Sequence, residues 1–145
     1  MMKSTSVKSP KVPLMHRLPE SLRHKSVIEI SGQMLQSDRF CVDFRDDSFV
    51  NFHLSVRPCD NEIVRNHKID GKWQDEERDG GCPIKYGVPF RMVIVVEEEK
   101  FKVAINNVPF CKFKHRLPLP FAKFLYISGE VKIHYIQIDN DRHFK

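Results

Sequence analysis

No apolar run in this chain approaches the roughly 20 residues needed to cross a bilayer. Its opening, Met-Met-Lys-Ser-Thr-Ser-Val-Lys-Ser-Pro, carries no hydrophobic leader core. Neither membrane insertion nor the standard secretory route is indicated. The four cysteines, Cys41, Cys59, Cys82 and Cys111, form no Cys-x-x-Cys pair that would suggest zinc, and no Asn-x-Ser/Thr glycosylation acceptor occurs. Free thiols in a reducing compartment fit this pattern; two bridges in a secreted chain are the alternative. His16, His24, His67, His134 and His143 show no metal spacing, so no metal and no cofactor is expected. Helical periodicity is missing too, since no stretch longer than about ten residues carries a helical apolar stripe.

What is present describes a single folded domain. A chain of 145 residues buries roughly two-thirds of its unfolded surface, enough for one core. Hydrophobic residues at 41%, charged residues at 30% and eleven Phe exclude an aromatic-poor disordered chain. The net charge of +5 raises the question of a nucleic acid or an anionic membrane. Much of it lies in Lys3, Lys8, Lys11, Arg17, Arg23 and Lys25, and in Lys112, Lys114 and Arg116, and reads as solvated surface plus a basic tail. Residues 1–15 mix Lys, Ser, Pro and Met without period and predict a flexible or loosely docked arm, with the domain proper at residues 16–145.

From residue 26 onward, short runs rich in Val, Ile, Phe and Tyr recur between polar turns, which predicts an all-β fold. Strands are expected at 27–32, 39–44, 49–57, 63–68, 72–78, 90–96, 101–106, 110–114, 124–128 and 131–138. Turn residues such as Asp70-Gly71, Asn106-Asn107 and Gly129 separate them. So many short strands close in sequence favour antiparallel pairing in a two-sheet β-sandwich, because parallel pairing needs long crossovers.

The run 49–57 is the informative one. Val50, Phe52, Leu54 and Val56 alternate to one face, while Asn51, His53, Ser55 and Arg57 alternate to the other. Polar residues on an outward face are ordinary, but here Asn66 follows on the next strand, and then Trp73, Glu76 and Arg78 in Trp-Gln-Asp-Glu-Glu-Arg. A sugar presents hydroxyls that both donate and accept, plus one C–H face. Its site needs a flat aromatic with amide, carboxylate, guanidinium and imidazole groups around it, and this set contains each of them.

These residues resemble the galectin pattern, in which the sugar site is written across three strands as His-x-Asn-x-Arg, Val-x-Asn and Trp-x-x-Glu-x-Arg. Here the corresponding residues are His53, Ser55 and Arg57, then Val64 and Asn66, then Trp73, Glu76 and Arg78. Pro89-Phe90, the segment 101–106, Phe113-Lys114-His115-Arg116-Leu117-Pro118 and the closing segment 127–131 look like the family's strands and turn. The likeness runs from about Pro19 to Asp139.

The resemblance implies a concanavalin-like jelly roll and a metal-independent, non-enzymatic lectin for β-galactoside glycans on glycoproteins or glycolipids. In the implied site Trp73 stacks on galactose, His53 and Arg57 bind the axial 4-hydroxyl, Asn66 binds the 6-hydroxyl, and Glu76 bridges Arg57, Arg78 and the next sugar. A cytoplasmic location with signal-peptide-independent export, and a homodimer through the terminal strands, belong to the same implication. Ser55 departs from the family's Asn, and Val56 from the Pro that usually follows. The short hydroxyl reaches less far than an amide.

Three rival readings can be weighed on the residues. A glycosidase needs a carboxyl with a raised pKa opposite a second one, whereas Glu76 is expected to sit paired between two arginines, Arg57 and Arg78. A nucleic-acid binder would use Lys112-Phe113-Lys114-His115-Arg116, but the alternation there sends Phe113 to the core and the lysines to solvent. The alternative that Ser55 favours is a galectin-like module with weakened or lost galactoside binding that recognises another glycan or a protein. His115 reads as a structural turn residue, and the cysteines read as packing groups.

Overall fold

The computed structural model describes residues 3–36 and 38–140; the first two residues of the expected arm, and His143, lie outside them. Twelve strands form two six-stranded antiparallel sheets. The front sheet runs β2 (Leu14–Arg17), β11 (Phe124–Gly129), β4 (Phe40–Arg45), β5 (Phe49–Arg57), β6 (Glu62–Ile69), β7 (Lys72–Trp73). The back sheet runs β1 (Lys3–Lys8), β12 (Val131–Asn140), β3 (Val27–Met34), β8 (Phe90–Val96), β9 (Lys100–Ile105), β10 (Val108–Lys114). Among the described residues the only helices are two single 3-10 turns, Pro58–Asp60 and Leu119–Phe121, and no helix is long and apolar enough to cross a membrane.

The predicted all-β sandwich is therefore present, and its core is the one the period-two patterns name. Val50, Phe52, Leu54 and Val56 of β5 are fully buried with Phe40, Val42 and Phe44 of β4. From the back sheet Met92, Ile94, Val96, Phe101, Val103 and Ile105 meet them. Phe52 is stacked between Phe101 and Phe113, with ring centroids 4.6 and 4.7 Å away, so its truncation to Ala would cost about 3–5 kcal/mol. This packing fixes β5 so that its alternate residues must point out of the front sheet. The turn joining β11 to β12 closes tightly at Gly129, at φ 105°, where a Cβ would sit 2.5 Å from the Arg39 carbonyl oxygen.

Three expectations need correction. The segment expected as an arm is built into both sheets: β1 pairs with β12 over six registered residues, and β2 pairs with β11. Its Lys, Ser and Thr residues give no apolar signal; the ladder's backbone hydrogen bonds hold it, together with Val7, Val12 and Leu14, which pack against the core. The strand expected at 72–78 ends at Trp73. Beyond it the chain stays beside β6 through hydrogen bonds of Gln74 to His67 and Asn66 and through an isolated bridge between Glu77 and Arg65. Asn51 is also buried rather than outward; an irregularity between Val50 and His53 turns its amide to donate to the Pro118 carbonyl at 3.0 Å. The four cysteines are free thiols.

Candidate functional site

The outer face of the front sheet brings His53, Ser55 and Arg57 of β5 beside Glu62, Val64, Asn66 and Lys68 of β6. Register sets the rows: His53 lies between Asp43 and Asn66, Ser55 between Cys41 and Val64, and Arg57 opposite Glu62. Trp73 follows on the edge strand, directly opposite Lys68. His53, Arg57, Asn66, Trp73, Gln74 and Glu76 line one groove of about 290 Å³.

Each wall of the groove is held from outside it. The buried Asp43 carboxylate lies 2.6 Å from His53 Nδ1. It accepts that ring proton and leaves Nε2 for the groove. Arg57 donates Nε–H to the Ser55 hydroxyl oxygen at 3.0 Å. Its two terminal amino groups meet no partner among the described residues, so they are available to a ligand. Asn66 donates through Nδ2 to the Gln74 carbonyl and accepts from the His67 amide through Oδ1, which leaves one amide hydrogen for the groove. Trp73 is 48% exposed. Its ring lies 4.4 Å from the His53 ring, with Lys68 Nζ 4.7 Å from its centroid.

Glu76 accepts from Arg78 at 2.9 Å, and Arg78 donates its other arm to Glu62, also at 2.9 Å. The hydrogen bond that Arg78 donates to Glu76, with the charge of both carboxylates, lifts Arg78 above the ordinary guanidinium range. Glu76 makes no hydrogen bond or ion pair with Arg57 among the described residues, so the double bridge that the resemblance implies is present on its Arg78 side alone. Ser55 and Arg78 do not line the groove: Ser55 is 1% exposed beneath Arg57, and Arg78 stands behind Glu76.

Asp43, Glu62, Lys68 and Gln74 escaped the sequence reading, and so did Arg116. From the loop after β10, Arg116 donates to the Asp75 carbonyl at 2.7 Å, to Glu77 at 2.6 Å and to His67 Nδ1 at 3.0 Å. It therefore clamps the segment that carries Trp73 and Glu76. Burial first, and then the Arg116 charge, push His67 below the ordinary imidazole value. His115 is structural: its Nε2 meets the Glu97 carbonyl, and its ring stands edge-on to Phe101. Among the described residues, no three His, Cys, Asp or Glu side chains gather as a cation site.

The sequence model of the galactoside-binding lectin family matches residues 13–138. Human galectin-7 is 31% identical over 132 residues, covering 88% of this chain and 97% of its own. The chain belongs to the galectin family.

Solved structures of other galectins are similar to this galectin. The Caenorhabditis elegans galectin LEC-6 superposes with a TM-score of 0.86 at 19% identity, covering 92% of this chain and 94% of its own; at that identity the likeness speaks for the fold. Sheep galectin-11 superposes with a TM-score of 0.81 at 27% identity, covering 89% of this chain and 99% of its own. The fold is thus the family's sandwich, and the chain is a carbohydrate-binding lectin by descent.

Proposed function

We propose that this galectin binds β-galactoside glycans in the groove between His53 and Trp73, without a metal and without chemistry on the sugar. The observation that carries the reading is the half-exposed Trp73 standing over a groove into which Arg57 points two unpartnered amino groups. The apolar face of galactose stacks on Trp73. The axial 4-hydroxyl donates to His53 Nε2 and accepts from Arg57. Asn66 donates its remaining amide hydrogen to the 6-hydroxyl, and Glu76, with Arg78 behind it, meets the next sugar. Because Asp43, Ser55 and Arg78 hold these groups before the ligand arrives, little ordering entropy is lost on binding. Glu76 is the one carboxylate lining the groove and is paired with Arg78, which suits binding rather than glycoside hydrolysis.

Titration with lactose tests the reading, since Trp73 is the only tryptophan. Lactose should change its fluorescence with or without EDTA, sucrose and mannose should not, and Trp73→Ala should abolish binding with the fold retained. The buried position of Ser55 favours a second reading, in which the groove has turned to another glycan or to a protein; the absence of any response to galactosides would select it.

A further inference from the structure

The back sheet carries an unassigned surface on the side of the sandwich opposite the groove. Val93 and Val95 of β8, Ala104 of β9 and Pro109 of β10 point away from the core, and with the half-buried Phe110 they floor a cavity of about 530 Å³, whose lining carboxylate, Asp79, is already paired with Arg65. Along its side the β9–β10 register sets Lys102 directly against Lys112, and Lys100 against Lys114. Like charges directly opposite on one sheet face destabilise the pairing. Only Glu97 relieves them: it reaches Lys100 and Lys102, each at 3.8 Å. Lys112 and Lys114 are exposed and have no carboxylate within salt-bridge distance among the described residues.

We propose that this surface docks a short, extended, acidic segment of a partner protein. The segment's apolar side chains would sit on Val93, Val95, Ala104 and Pro109, and its carboxylates would meet Lys102, Lys112 and Lys114. Charge complementarity selects the occupant. An anion at the lysine rows removes repulsion that the folded chain leaves uncompensated, and the apolar floor asks for side chains that a sulfated glycan does not have. A second copy is disfavoured by the net charge of +5. A flat anionic bilayer is opposed by Glu97, Glu98 and Glu99, which close the β8–β9 turn at the end of the lysine rows; a narrow chain runs clear of them.

The test uses the full chain and a short fluorescein-labelled peptide alternating glutamate with leucine, followed by fluorescence anisotropy. Binding is expected with a Kd of about 0.1 mM, as for a small transient interface, weakening with salt and unaffected by saturating lactose. The double variant K112E/K114E should weaken it roughly tenfold. That variant turns both like-charge pairs into opposite ones, so its Tm should be equal or higher, and lost binding cannot be put down to unfolding. The proposal is overturned by no binding at millimolar protein, by an unchanged affinity of K112E/K114E, or by polyglutamate binding as well as the mixed peptide. It is overturned equally if a heparin-derived oligosaccharide or phosphatidylserine vesicles bind in a K112E/K114E-sensitive way while the peptide does not. Because the surface lies on the other sheet, each of these results leaves the lactose reading standing.

Discussion

Ser55 is a support for Arg57: its hydroxyl oxygen accepts the guanidinium Nε–H at 3.0 Å while the residue itself is closed off from solvent. Two side chains on the same strand face thus divide the labour, one reaching the groove and the other fixing its angle. Ser55→Ala should free Arg57 and weaken lactose binding by the worth of one hydrogen bond, about 0.5–1.5 kcal/mol, or up to roughly tenfold in Kd. Ser55→Asn should extend an amide to the groove and strengthen binding by a similar factor. Calorimetric titration of both variants reads the two directions, and Ser55→Asn failing to improve on the parent would contradict the galactoside assignment. The single change is the cleaner test, because Val56 is fully buried and a Pro there would remove core packing as well.

Arg116 should matter to sugar binding without touching sugar. Arg116→Ala breaks the contacts to Glu77, Asp75 and His67 together, so the segment bearing Trp73 and Glu76 loses its clamp. Both charged partners are partly exposed, which keeps the stability loss near 1–2 kcal/mol. Lactose affinity should fall severalfold, and Arg116→Lys should recover only part of it, since one ammonium cannot span three acceptors. A Tm measurement beside the titration separates the two effects.

His67 gives the molecule an acid-side weakness. Its folded pKa is lowered by burial and by Arg116, so below the unfolded value of about 6.5 the unfolded chain takes up a proton that the folded one resists. Stability is intact above that pH and falls as pH drops from it toward the lowered folded value. Denaturant unfolding across this range should show the slope in the parent and a reduced one in His67→Gln, whose carbonyl can still accept from Arg116. An unchanged slope would remove His67 from the account.

The thiols should separate by reactivity. Burial pushes Cys111 up to about 11 and raises Cys41 and Cys82, while Cys59 is exposed. A thiol reagent at mildly alkaline pH should therefore modify Cys59 quickly and the other three only on unfolding. Counting fast and slow equivalents decides it; a second fast thiol would mean that one of the covered sites, the half-buried Cys41 or Cys111 or the buried Cys82, is reached in the folded chain.

The parts of this molecule that were legible in its sequence are those written with a short period. β5 states its two faces in nine consecutive residues, and Trp73, Glu76 and Arg78 lie close enough in the chain to be seen together. What supports them comes from pairing across strands and was not legible. Asp43 reaches His53 through the β4–β5 register, and Arg116 arrives from a loop forty residues downstream of Glu76. Arg65 shows the same limit. A strand arginine reads as surface, yet it is 2% exposed, held by Asp79 and the Ile63 carbonyl, and lies over the Phe110 ring. β1 was missed because a strand of Lys, Ser and Thr is defined by its neighbour's free edge rather than by its own side chains.

That neighbour's edge sets a condition on self-association. β12 offers a row of ten residues, and β1 already occupies its outer side over six of them, with Ser4 and Ser6 hydrogen-bonded to Gln137. A second copy seeking to continue the back sheet through β12 meets a seat that is taken. A dimer that continues the back sheet at this edge must either add to β1 or displace it. The affinity of such a dimer would then measure how firmly the chain holds its own first strand.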